Sequence, residues 1–318
     1  MRQYIIRRAL LIVPTVLGVT LLMTWLLTLL PGSVADIILA ESATFNDELT
    51  RESIEADLGL NKFFVVRWAE WLGGVVQGDF GQTFRGGKPI GDELLNRAPV
   101  TLQLSAMALA LSLIIAIPIG ILSAVRQDSM IDYVARSSAI FMLAMPGFFL
   151  AVLFLILVGN WAPALLPPIL YEDLWDDPES NLRQLWAPAV ILAFAIAGGV
   201  MRLTRGQMLE VLRQDYVRTA WSKGLRERTV IFRHAVKNAF IPVITLIGVQ
   251  VPILVSGTVV LESIFGIPGL GLMLLDGLMQ REYLSVLAVN ALIATIIVVL
   301  NFAVDITYSY LDPRIRYS

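Results

Sequence analysis

The chain of 318 residues has no cysteine and a single histidine, His234. That removes disulfide frameworks, thiol catalysis, iron-sulfur clusters and thiolate zinc sites, and one imidazole leaves little for a nitrogen-rich metal site. Residues 81–88 read GQTFRGGK. A phosphate loop needs G-x-x-x-x-G-K-[ST], in which the glycines let backbone N–H groups cradle phosphate and the hydroxyl holds magnesium. Here Gln82 stands five before Gly87 and Pro89 follows Lys88, so this chain is not expected to bind nucleotide by itself. Residues 266–271, GIPGLG, follow no strand pattern and are not a dinucleotide fingerprint. An intramembrane protease would need a buried serine with a base, paired aspartates or a histidine-glutamate zinc motif, and the sequence offers none of these sets. Asp305 is the only acid well inside an apolar run. A functional charge and a structural partner for a nearby arginine both fit it.

With catalysis disfavoured, the elements become the argument. Hydrophobic residues make up 57% of the chain and charged residues only 16%, with a mean hydropathy of +0.73. A water-soluble domain carries about 25% charged residues, so the bilayer is the expected solvent. The net charge of -2 argues against nucleic acid as a partner. Apolar stretches near spanning length fall at residues 9–30, 100–125, 134–160, 187–201, 240–261 and 284–306. The expected architecture is therefore all-α and integral to the membrane, with six transmembrane helices. The fourth stretch is the shortest and needs Leu185, Trp186 and the stem of Arg202 to reach across. The first, at 22 residues, exceeds a signal-peptide core of about 7 to 15 residues and reads as an uncleaved helix.

With residues 31–98 left out, because long segments cross the membrane largely regardless of charge, lysine and arginine in the connections divide sixteen to two, the larger share falling on the side of both termini. By the positive-inside rule both termini are expected in the cytoplasm. Three parts follow: 1–30, the N-terminal end and first helix; 31–98, a soluble extracytoplasmic segment; and 99–318, a five-helix transmembrane core that includes the 202–238 connection. The outer segment holds eleven acids and six bases, helical composition at 51–58 and 63–72, and turn-rich stretches at Gly73-Gly74 and Gly86-Gly87. Trp68 and Trp71 suit an interfacial anchor. The segment reads equally as a stabilising cap or as a contact for substrate. Glu172, Asp173, Asp176, Asp177 and Glu179 form either a solvated charge run or a docking surface in the second outer loop. Prolines 118, 146, 242 and 252 and glycines 248 and 257 suit either pivots or ordinary packing.

The longest cytoplasmic connection, 202–238, carries nine basic residues and reads as two helices. Asp215 suits an N-cap and Gly224 a left-handed stop. Tyr216, Val217, Ala220 and Trp221 fall on one face, while Arg218 and Lys223 point elsewhere. So short a helix is marginal alone, and its apolar face calls for a protein partner or an anionic lipid surface.

At these residues a resemblance becomes specific. Tyr216-Val217-Arg218-Thr219-Ala220-x-x-Lys223-Gly224-Leu225, then Arg233-His234-Ala235 and residues 238–242, resembles the EAA loop of ATP-binding-cassette importer permeases. More narrowly the chain is similar to the dipeptide/oligopeptide/nickel permease family, and to the first of its two permease subunits. Further family-like stretches are Gly78-Asp79-Phe80-Gly81 with Phe84, Arg97-x-Pro99-x-Thr101-Leu102 and Met145-Pro146-x-Phe148. Others are Glu262-x-x-Phe265-x-x-Pro268-Gly269-x-Gly271 and Tyr310-x-Asp312-Pro313. Arg218 replaces the glutamate of the general motif, and His234-Ala235-Val236-Lys237 stands where the general loop ends I-x-L-P. The resemblance implies a type I importer fold in which Asp215, Tyr216, Val217, Arg218, Thr219, Ala220, Trp221, Lys223 and Gly224 form the ATPase-coupling site. It implies a homologous second permease, two cytoplasmic ATPases holding ATP and magnesium, an extracytoplasmic solute-binding protein and membrane lipid as partners. No cofactor is expected on this chain. Short peptides are the implied substrate, ahead of nickel chelates and oligosaccharides, and an ATP-independent secondary transporter is the opposing class.

Overall fold

The computed structural model describes residues 2–29, 61–84 and 86–311. Among them the chain is helical, and its only strand-like feature is an isolated antiparallel bridge between Gln82 and Pro89. The main helices are α1 (Arg2–Thr28), α2 (Phe64–Val76), α3 (Ile90–Val125), α4 (Met130–Ala144), α5 (Gly147–Trp161), α6 (Pro178–Leu212), α7 (Asp215–Ser222), α8 (Lys237–Phe265), α9 (Leu270–Met279) and α10 (Tyr283–Leu311). Five are long and apolar enough to cross a membrane, and α4 with α5 supplies a sixth crossing if the bent pair is one span.

That pair corrects the expected third span. Residues 134–160 are not one helix: α4 and α5 meet at a 100° bend. Proline has no N–H and its ring drives the preceding residue out of the helical region. Met145 is accordingly extended, at φ -93° and ψ 119°, and Pro146 becomes the N-cap of α5. Prolines 118, 242 and 252 lie inside helices. The fourth span, short by hydropathy, sits in the 35-residue α6, whose most apolar window is 72% buried. Hydropathy understated α6 because its buried face includes Asn181, Gln184 and Thr204.

Contacts divide the chain into two units. One comprises residues 100–268 and those from 300 onward. Its centre is α6, packed between α8 and α4 through Ala139, Ile191, Leu192, Val200 and Leu254. Small residues let the backbones approach. A Cβ on Gly198 would lie 2.7 Å from the Ala139 carbonyl, and one on Gly257 would lie 3.0 Å from Leu192. Part of the acidic loop caps this helix: one Asp177 carboxylate oxygen accepts from the N–H groups of Glu179 and Ser180, each at 3.1 Å. A carboxylate suits the positive end of a helix dipole. Two family-like stretches also meet here, since the Thr101 hydroxyl donates to buried Glu262 at 2.7 Å. Gly266, left-handed at φ +64°, ends α8, so GIPGLG is a helix stop.

The other unit comprises residues 2–99 and 269–299. Trp68 is tied to the first helix: its indole N–H donates to Thr20 of α1 at 3.0 Å. Trp71 packs against the cluster containing Leu27, Tyr283 and Leu287. Gly73 and Gly74 lie inside α2 rather than in a turn, because the chain folds back closely there. A Cβ on Gly74 would sit 2.9 Å from the Asp79 carbonyl oxygen. The turn comes at Gly78, at φ +85°, where the N–H of Asp79 reaches the Gly74 carbonyl at 2.9 Å. This is the left-handed closure that glycine favours. The 81–88 loop is occupied by the protein itself: the Phe84 N–H donates to Glu282 at 2.9 Å and the Lys88 N–H to Thr83 at 3.2 Å. The apolar helix α9 falls in a stretch expected to be only an outer connection. The helix expected at 51–58 and the chain end after 311 lie outside the described residues, as does the side chain of Asp305.

Candidate functional site

The connection between α6 and α8 is built from short helical pieces. α6 runs on to Leu212, residues 213 and 214 turn the chain, and α7 follows. Asp215 does not cap α7, as expected from sequence, but is its first residue. Gln214 holds the cap position without a side-chain hydrogen bond. An acid at the first position still suits the helix dipole, and its carboxylate lies 3.7 Å from Arg218. Gly224 closes the element as expected, left-handed at φ +71°, its N–H on the Trp221 carbonyl at 2.9 Å. The second helix begins with one turn at Glu227–Thr229, passes through a π-helical segment, Val230–Val236, and continues as α8. A π-helix adds a residue per turn. Here it accompanies burial of Val230, Ile231 and Ala235 together.

The expected four-residue apolar face of α7 is divided in the structure. Val217 and Ala220 are buried against Val230, Val211 and Leu212 of the same chain. At about 100° per residue, Tyr216 and Trp221 fall on either flank of that buried pair. They remain 43% and 44% exposed. The Tyr216 hydroxyl accepts from Asn238 at 2.8 Å, which pins α7 to the start of α8. The outward face consists of Asp215, Arg218, Thr219 and Ser222, with Lys223 just beyond. His234 is half-buried in the π segment, its carbonyl bonded to Asn238, and no metal-binding group of three or more His, Cys, Asp or Glu occurs among the described residues.

Sequence reasoning missed what holds the root of this module. Asp132, at the start of α4, is wholly buried. Its carboxylate accepts from Arg205 Nε at 2.6 Å and Nη2 at 2.7 Å, from Ser123 Oγ at 2.6 Å and from the Asp128 N–H at 3.0 Å. Asp128 takes a left-handed φ of +60° in the turn that delivers that N–H. Bidentate arginine and additional donors are what a buried carboxylate requires. The network ties α3, α4 and α6 together ten residues before α7 begins. Only an aspartate shortly after a serine in a short turn could have signalled it, and Arg205 read simply as one of nine positive charges.

The geometry accords with the relatives. Residues 116–317 match the model of the family described as binding-protein-dependent transport system inner membrane component. The chain is 37% identical over 321 residues to the oligopeptide transport system permease protein AppB of Bacillus subtilis, covering 100% of each. It is 36% identical over 320 residues to a putative peptide transport system permease protein of Brucella abortus, again covering 100% of each. To the dipeptide transport system permease protein DppB of Alkalihalophilus pseudofirmus it is 34% identical over 336 residues, with 100% of each covered. A nearly all-helical bundle, a short helix mounted between α6 and α8, and end-to-end likeness to transport permeases lead to one assignment: the chain belongs to the inner membrane components of binding-protein-dependent transport systems, the permeases of type I ATP-binding-cassette importers.

Proposed function

We propose that this chain is one of two homologous permeases of an importer for short peptides, with both termini in the cytoplasm. An extracytoplasmic binding protein delivers the peptide, and two cytoplasmic ATPases, which hold ATP and magnesium, drive its passage. The permease itself carries no catalytic group and no cofactor. The observation that carries the reading is the mounting of α7: a helix too short to persist alone is seated by Val217 and Ala220, while Tyr216, Arg218, Thr219, Trp221 and Lys223 stay exposed. Such a helix transmits force only if its inner side is fixed and its outer side is gripped. In this proposal ATPase closure pushes α7, and the seat passes the motion to α6 and α8 as a rigid-body change. The names of the full-length relatives favour peptide as cargo.

The test is uptake of a labelled dipeptide by the intact complex in cells, with subunits identified by intact-complex mass spectrometry. Uptake abolished by ATP depletion, unaffected by an uncoupler, and a complex holding a second permease and two ATPase copies are the expected results. Transport by this chain without a nucleotide-hydrolysing partner would overturn the proposal. Import of nickel chelate or oligosaccharide in place of peptide would overturn its cargo.

A further inference from the structure

A cavity of about 320 Å³ opens between α3, α4 and α6, lined by Ser123, Ala135, Arg136, Ala139, Ile140, Met201, Arg202 and Arg205. Its volume is at the lower end of ligand sites. The charges in it are unequally committed. Arg205 is held by Asp132, with Asp128 also near it. Among the described residues Arg136 and Arg202 form no ion pair, and both are exposed. Arg136 also lies over the ring of Tyr133, its guanidinium carbon 5.8 Å from the centroid. The cavity thus keeps two uncompensated positive charges.

The order of residues along the helices gives the cavity a direction. Under the proposed orientation α4 runs inward from the cytoplasmic boundary and α6 runs outward to it. Ala139 and Ile140 then lie one turn deeper than Arg136, and Met201 lies deeper than Arg202 and Arg205. Ser123 is two residues from the end of α3 at the same boundary. Charge therefore lines the aqueous end and hydrocarbon the membrane end, and Ile140, 65% exposed, continues the apolar wall outward. A free anion would leave that apolar end unused, whereas an amphiphile fills both.

We infer that this cavity binds an anionic phospholipid of the cytoplasmic leaflet, its phosphodiester on Arg136 and Arg202 and an acyl chain along Ala139, Ile140 and Met201. Basic pockets between helices near the cytoplasmic surface suit such head groups. The inference rests on the proposed orientation but on neither the ATPase partner nor the peptide cargo. A lipid there would brace α4 against α6 beside the Asp132–Arg205 pair.

The experiment places the intact complex in phosphatidylcholine nanodiscs containing a trace of phosphatidylglycerol with a photoactivatable acyl chain, present in both leaflets, and maps the label by peptide mass spectrometry. The label is expected on α4 around Ala139 and Ile140 and on α6 around Met201. Unlabelled phosphatidylglycerol should displace it and inorganic phosphate should not. Arg136→Gln and Arg202→Gln should each lower labelling about five-fold, while Arg136→Lys with Arg202→Lys retains most of it. Size-exclusion behaviour of the variants checks that they fold. Equal labelling by a photoactivatable phosphatidylcholine, competition by phosphate, or labelling unchanged in the double glutamine variant would each overturn the site. So would an Ile140→Cys variant that crosslinks to a neighbouring permease subunit while the lipid label on α4 is lost. Because both leaflets carry the probe, an inverted orientation would leave the labelling intact, so the two failures are distinguishable.

Discussion

Asp132 shows what one buried charge does in a membrane bundle. Its carboxylate is surrounded by donors from Arg205, Ser123 and a backbone N–H, so its desolvation is offset locally. Removing either partner alone strands the other. Asp132→Asn and Arg205→Gln are each expected to cost about 3 kcal/mol. The double variant should cost clearly less than their sum, measured by thermal unfolding of the purified complex. Strict additivity would show that the two side chains act independently. Val217 and Ala220 teach a complementary lesson. Both lie on α7, and their burial against Val230, Val211 and Leu212 makes them its supports within the chain.

That division makes α7 a testable element. Ala220→Asp forces a carboxylate against Val230 and Leu212, and a buried charge without a partner is not tolerated. It should lift α7 off its seat, abolish ATP-driven uptake and speed trypsin cleavage at Arg213, Arg218 and Lys223, whose side chains are exposed already but whose backbone the seated helix holds in place. Trp221→Ala removes exposed surface only, so uptake should fall while the trypsin pattern stays that of the unaltered chain. If both variants gave the same proteolysis, the inner and outer faces would not be separable. The π segment and Gly224 belong to the same design: one places Val230 beneath α7, and the other turns the chain so that α7 stays short.

At the scale of the molecule, the absence of cysteine makes topology directly measurable. Asp173→Cys, in the loop before α6, should react with a membrane-impermeant maleimide in intact cells. Asp128→Cys, in the turn before α4, should react only after permeabilisation. The reverse pattern would invert the charge-based orientation. Much of the architecture was legible beforehand because a bilayer imposes length and apolarity on each crossing. The stretches at 9–30, 240–261 and 284–306 each overlap a membrane-length helix, and 100–125 and 187–201 lie within longer ones. The third crossing was legible only as composition, since a sum of apolar residues does not register a 100° bend.

By itself the sequence determined the solvent, the number of apolar runs and the local stop at Gly224, since these depend on composition and on single-residue backbone preferences. It also marked the 215–224 segment, where aromatic, basic and small residues fall at helical spacing. Tertiary structure decided which side of α7 faces its own chain and that Trp68 turns onto Thr20. It also joined Asp132 to Arg205, 73 residues apart, and Thr101 to Glu262, 161 apart. The reason is physical: periodicity defines a face, but only packing against distant helices decides what that face touches and which buried charges meet.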